Sequence, residues 1–142
     1  MINNVPVWAK KQCIYSGYRK HTGLAECFRS ILMLHNETIN IWTHFLGFLI
    51  FLNMSYDNYH KYHNSSKVEI YKGVYILSAM TALASSTVYH LTTASTEKIH
   101  NFMLKLDLLA IILHISVCLV TCIHLWLWCY PTISSIYIGI SL

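Results

Sequence analysis

After residue 36 the chain alternates long apolar runs with short polar connectors. The first run, Asn36 to Ser55, contains IWTHFLGFLIFLNM. About twenty residues at about 1.5 Å rise each approach the roughly 30 Å of a hydrocarbon core, which predicts a spanning helix over 36–55. A polar segment, YDNYHKYHNSSKVE, separates it from a second span over 70–92, whose Ala79, Ala82, Ala84, Ser85 and Ser86 suit close helix packing in lipid. A connector around Ser95, Glu97, Lys98 and His100 leads to a third span over 102–128, which closes on the interfacial aromatics Trp126, Trp128 and Tyr130. Pro131 opens one more apolar segment, 131–142. A helix ending inside hydrocarbon leaves carbonyls without partners. The pattern is therefore read as a fragment, with three complete spans and the start of a fourth.

Residues 1–35 read differently. Pro6, Gly17 and scattered Lys and Arg without apolar periodicity predict an arm over 1–21. Beyond it Leu24, Cys27, Phe28, Ile31 and Leu32 recur at helical spacing, with Glu26 and Arg29 on another face. That is the pattern of a short amphipathic helix lying in the membrane interface.

Composition supports a membrane setting, since 55% hydrophobic against 11% charged residues is too apolar for an ordinary soluble domain. The net charge of +4 is not gathered into a basic stripe with interleaved aromatics, which argues against nucleic acid as a partner. Cys13, Cys27, Cys118, Cys122 and Cys129 show neither metal-finger spacing nor the density of a disulfide scaffold. Lys10, Lys11, Arg19, Lys20, Arg29, Lys98 and Lys105 fall on one side of the predicted spans, and Lys61, Lys67 and Lys72 on the other. This bias predicts a cytosolic N-terminus. The Asn64-Ser65-Ser66 glycosylation triplet then falls in the opposite, outer or lumenal loop.

Polar and ionisable side chains in a span need a partner or a function. Glu37, Asn40 and His44 share one face at the start of the first span, with Thr43 beside them. Either a helix cap with interfacial anchoring or a buried polar network accounts for them. Ser86 and His90 lie one turn apart near the end of the second span, and Asp107 near the start of the third. An antiparallel hairpin brings them to one leaflet, together with the Asn40 and His44 face. A His90–Asp107 pair closing the hairpin and a metal role for His90 are both open. His114, Cys118 and Cys122, four residues apart, read as packing rather than a second metal stripe.

Three ordered motifs carry a family resemblance: Gly17-Tyr18-Arg19, then Glu37-x-x-Asn40-x-x-Thr43-His44, then Ser86-x-x-x-His90 followed by Lys105-Leu106-Asp107. Together they resemble the progestin and adipoQ receptor family, related to bacterial haemolysin-III proteins. The resemblance implies an all-α seven-helix membrane bundle with a cytosolic N-terminus, of which 36–142 is the N-terminal part. It also implies Zn2+ bound by His90, with Asp107 holding the metal-bound water and Ser86 behind it. Two further zinc-binding histidines belong to an H-x-x-x-H motif on the seventh helix, which this sequence does not reach. The family's usual Asp-Tyr-x-Gly-Ile is here Asp107-Leu108-Leu109-Ala110-Ile111.

The function implied first is a membrane receptor for a lipid or protein ligand, with zinc stabilising the bundle. A second reading is a zinc-dependent, ceramidase-like hydrolase with Asp107 as catalytic base; the chain of 142 residues alone is expected to be inactive. A third is a scaffold, because Tyr89-His90 and the arm upstream of Gly17 resemble most a Golgi-resident branch that tethers a cytosolic kinase, Raf. In that reading Lys10, Lys11, Arg19 and Lys20 contact the kinase or anionic lipids. Golgi, another endomembrane and the plasma membrane all fit.

Overall fold

The computed structural model describes residues 5–20, 23–61 and 67–141. The Asn64-Ser65-Ser66 triplet lies outside them. Five α-helices follow one another: α1 (Leu24–Arg29), α2 (Thr38–Lys61), α3 (Lys67–Thr92), α4 (Glu97–Trp126) and α5 (Pro131–Ser141). Short 3-10 turns occupy Val7–Ala9 and Ser30–Leu32, and there is no strand among the described residues.

The three long helices run past the apolar stretches that mark the spans, reaching Lys61, Lys67 and Glu97. Polar residues at helix ends cost the backbone nothing, since each extra turn satisfies its own N–H and C=O groups. Val68–Thr92 and Glu97–Trp126 are long enough to cross a membrane, and each holds an 18-residue stretch apolar enough to do so, with mean hydropathies of 1.2 and 2.5. Leu109, Ile112, Leu113 and Ile115 on α4 are all more than half exposed. A helix apolar on every side, with its largest side chains uncovered, has lipid as its solvent.

The central helix is α3, packed against α2 on one side and α4 on the other. Its buried residues Ile76, Ala79, Ala82, Ser86 and Tyr89 recur every three or four positions, and the small ones let neighbouring backbones approach. Gly47 of α2 serves the same end, because a Cβ there would stand 3.2 Å from Leu83 Cδ2. The α3–α4 turn is tight. Ser95 N–H donates to Thr92 C=O at 3.0 Å, and the Thr96 hydroxyl caps α4 by accepting from Ile99 N–H at 3.4 Å. This hairpin sets Ser86 and Asp107 side by side.

The N-terminal segment is docked on the helices. Gly17 takes the left-handed region (φ 77°), and its carbonyl accepts from Asn36 N–H at 2.9 Å just before α2. The Trp42 indole on α2 donates to Ile31 C=O at 3.1 Å, holding the 3-10 turn against that helix. Leu24, Phe28 and Leu32 line up at four-residue spacing and stay exposed.

Candidate functional site

The site forms where the first turn of α2 meets the last turn of α3. Glu37, only 4% exposed, is a carboxylate that burial would make costly without partners. It has three. His90 Nδ1 lies 2.8 Å from Oε2, Asn40 Nδ2 donates to Oε2 at 2.9 Å, and Asn36 Nδ2 donates to Oε1 at 3.1 Å. The Glu37 side chain thus anchors a polar network rather than capping its helix.

That contact fixes which face of His90 is offered to chemistry. With Nδ1 held by a carboxylate, Nε2 is the nitrogen left for a metal or substrate, the arrangement by which carboxylates orient metal-binding histidines. The His44 ring lies 5.2 Å from the His90 ring, centroid to centroid, while its own Nδ1 is 2.6 Å from Asn40 C=O. Thr43 is exposed, and its hydroxyl donates back to Ile39 C=O at 2.8 Å and to Asn40 C=O at 3.2 Å, touching the network only through that backbone carbonyl.

Across the hairpin, Asp107 on α4 and Ser86 on α3 are each 5% exposed, and the Ser86 hydroxyl donates to Asp107 Oδ1. The structure therefore gives His90 and Asp107 different partners, Glu37 and Ser86. Among the described residues no three His, Cys, Asp or Glu side chains converge as a metal-binding group. The stripe His114, Cys118, Cys122 does not converge either; His114 Nδ1 instead pairs with Ser78 Oγ at 3.0 Å.

The role of Arg19 was not legible from the sequence. Its guanidinium donates to His90 C=O at 2.7 Å, Leu91 C=O at 2.8 Å, Thr93 Oγ1 at 2.7 Å and Ser30 Oγ at 3.0 Å. It covers terminal carbonyls of α3 with a charge that suits the negative end of the helix. Burial lowers its pKa from the usual arginine value, yet arginine stays charged. His90 is thus gripped twice, by its ring and by its carbonyl. The signal was the Gly17-Tyr18-Arg19 motif, which named the residue without its partners.

Beside Glu37, a cavity of about 20 Å³ is lined by residues including Lys11, Arg19, Thr93 and His100. His100 is buried, its Nδ1 has no partner among the described residues, and its ring packs on Trp8 at 5.1 Å and Tyr89 at 5.5 Å. The arm therefore closes the polar end of the bundle.

Residues 32–142, holding Glu37, His90, Ser86 and Asp107, match the family described as Haemolysin-III related. The chain belongs to that family. Proteins similar to this haemolysin-III related chain include progestin and adipoQ receptor proteins. An adiponectin receptor protein of Drosophila melanogaster is 26% identical over 141 residues, 96% of this chain and 32% of its own length. Heptahelical transmembrane protein 3 of Arabidopsis thaliana is 25% identical over 177 residues, 96% of this chain and 52% of its own. Progestin and adipoQ receptor family member 3 of Homo sapiens is 44% identical over 41 residues, 29% of this chain and 13% of its own. The haemolysin-III related chain thus spans between about an eighth and about half the length of these curated relatives.

Proposed function

We propose that this chain is the N-terminal part of a receptor-like, multi-pass membrane protein in which His90 and Asp107 contribute to a zinc site. The observation that carries the reading is the Glu37 carboxylate on His90 Nδ1. It holds the ring in one orientation and leaves Nε2 as the nitrogen for a metal. The chemistry of the donors fits zinc, but their number does not complete it, because a tetrahedral site takes three or four protein ligands. His90 would be one ligand, Asp107 with Ser86 would hold a proton or a water beside it, and the remaining ligands would come from beyond these 142 residues. Zinc there would tie helices together and supply a Lewis acid.

The orientation with a cytosolic N-terminus, drawn from the Lys and Arg bias, puts this site in the cytosolic leaflet. Hydrolysis of a lipid amide with Asp107 as base remains the second reading, supported by the buried Ser86–Asp107 pair. A kinase-tethering scaffold is the third; with the Arg19 guanidinium turned inward onto α3, Lys10, Lys11 and Lys20 of the arm are its support.

The deciding experiment is zinc content by native mass spectrometry, comparing the 142-residue chain, a longer protein that includes it, and His90→Ala in both. The expected result is one zinc in the longer protein, lost with His90→Ala, and no ceramide turnover by the 142-residue chain alone. A longer protein that keeps its zinc in the variant overturns the assignment.

A further inference from the structure

α1 and the 3-10 turn after it show three different faces. Cys27, about 60° round the helix from Leu24 at about 100° per residue, is covered to 1% exposure where α1 packs on α3. Glu26 and Arg29 pair with each other on another side, both exposed. Leu24 and Phe28 stand within about 40° of each other, turned away from that pair, and are exposed as well. The apolar row continues through Leu32, Met33 and Leu34, of which Leu32 is 86% and Leu34 94% exposed.

The bonds of the inner face fix this exposure. The Ser30 hydroxyl donates to Cys27 C=O at 2.7 Å and accepts from the Arg19 guanidinium at 3.0 Å. Ile31 C=O accepts from the Trp42 indole at 3.1 Å. The segment cannot roll its apolar row inward without breaking these bonds and uncovering Cys27. A contiguous apolar row held outward in this way marks a surface that something else covers.

Depth decides what that is. Trp42 is the fifth residue of α2, about 6 Å along it at about 1.5 Å per residue, at the rim of the predicted span, where indole rings gather. Its bond to Ile31 brings the turn to the same level. Ile39, one turn earlier on α2, is exposed too, so apolar surface continues from the turn onto the spanning helix.

We propose that α1 and this turn lie in the leaflet at their end of the bundle, with Leu24, Phe28, Leu32 and Leu34 among phospholipid acyl chains and the Glu26–Arg29 pair toward water. A helix resting in the interface shows that division of faces. Lipid needs no matching shape, only apolar side chains at the right depth, whereas a protein partner needs a complementary surface. A row this short would hold a free peptide weakly. Joined to spanning helices, it needs little affinity of its own, because the chain keeps it at the membrane surface.

The test exchanges single residues for the photoreactive p-benzoylphenylalanine in the full chain, and in a longer protein that includes it, both in phosphatidylcholine nanodiscs. Phe28 and Leu32 probe the row, Leu109 of α4 is the lipid-exposed reference, and Glu26 is the water-facing one. After illumination, mass spectrometry reads what each position has joined. The expected result is phosphatidylcholine adducts at both row positions, within about twofold of Leu109 and about fivefold above Glu26. Thermal unfolding checks each variant, and Leu32 decides alone should the exchange at Phe28 fail to fold. Adducts no more abundant than at Glu26, a bond between two copies of the chain, or a bond to the later part of the longer protein overturns the proposal.

Discussion

Nδ1 of His90 and Oε2 of Glu37 meet at 2.8 Å although 53 residues separate them in sequence. This contact joins α3 to the first turn of α2, and both partners lose water in making it. Glu37→Ala leaves His90, Asn40 and Asn36 without their shared acceptor and is expected to cost about 2–4 kcal/mol. Glu37→Gln, which keeps an acceptor oxygen, should lose less than half of that. A double-mutant cycle with His90→Ala, followed by thermal unfolding in detergent, should give a coupling of about 1 kcal/mol or more. Strict additivity of the two changes counts against the contact.

Arg19 makes a separable prediction. Its planar fork reaches two carbonyls and two hydroxyls at once, a pattern an ammonium cannot match. Arg19→Lys should therefore behave nearly as Arg19→Ala, each costing about 1.5–3 kcal/mol. The arm should be released, which limited trypsin digestion at Lys10 and Lys11 reads directly. Unchanged digestion of both variants shows that the arm is held by something else.

His35 gives the protein a sensitivity to acid. Its Nδ1 accepts from Glu37 N–H at 3.2 Å and its Nε2 faces Ser30 C=O at 3.1 Å. This pattern needs the neutral ring with its proton on Nε2. Burial, and then the charge of Arg19, lower its pKa. The folded protein thus binds this proton less readily than the unfolded chain, whose histidine titrates near 6.5. The stabilisation is present above about pH 6.5 and is lost as pH falls through the lower folded value. Melting temperature should drop between pH 7.5 and pH 5, and the drop should shrink in His35→Gln. An identical profile for that variant removes His35 from the explanation.

The α2–α3 contact at Gly47 is tested by overfilling it. With a Cβ only 3.2 Å from Leu83 Cδ2, Gly47→Val has no room unless Leu83 moves, and it should cost about 1–3 kcal/mol. Leu83→Ala in the same chain should recover part of that loss. If the double variant is less stable than the sum of both single changes, the two residues are not opposed as described.

The helices were legible in the sequence because lipid leaves a chain few choices. Runs such as those around Leu46 and Ile112 must satisfy their backbone internally, so spans follow from length and apolarity alone. That Ser86, His90 and Asp107 share one leaflet was legible for a related reason, since a short connector fixes antiparallel depth, but the pairing expected there was His90 with Asp107, and Asp107 takes Ser86 instead. Glu37 was found as a residue with an open role, cap or network. Periodicity describes one helix at a time and carries nothing about which neighbour a face meets, so its bond to His90 stayed hidden. Arg19 and Trp8 were harder still, because they act from irregular backbone and a single 3-10 turn, where no period points to a partner.

The double hold on His90 has a consequence for how the protein is made. Arg19 and Glu37 both precede it in the chain, so both gripping side chains have been made before the ribosome reaches α3. Among the described residues, the hydrogen bonds to this histidine's ring and carbonyl come from before α3 or from α3 itself. Its ring can be set as soon as α3 leaves the translocation machinery, and helices added afterwards meet a nitrogen already aimed at them.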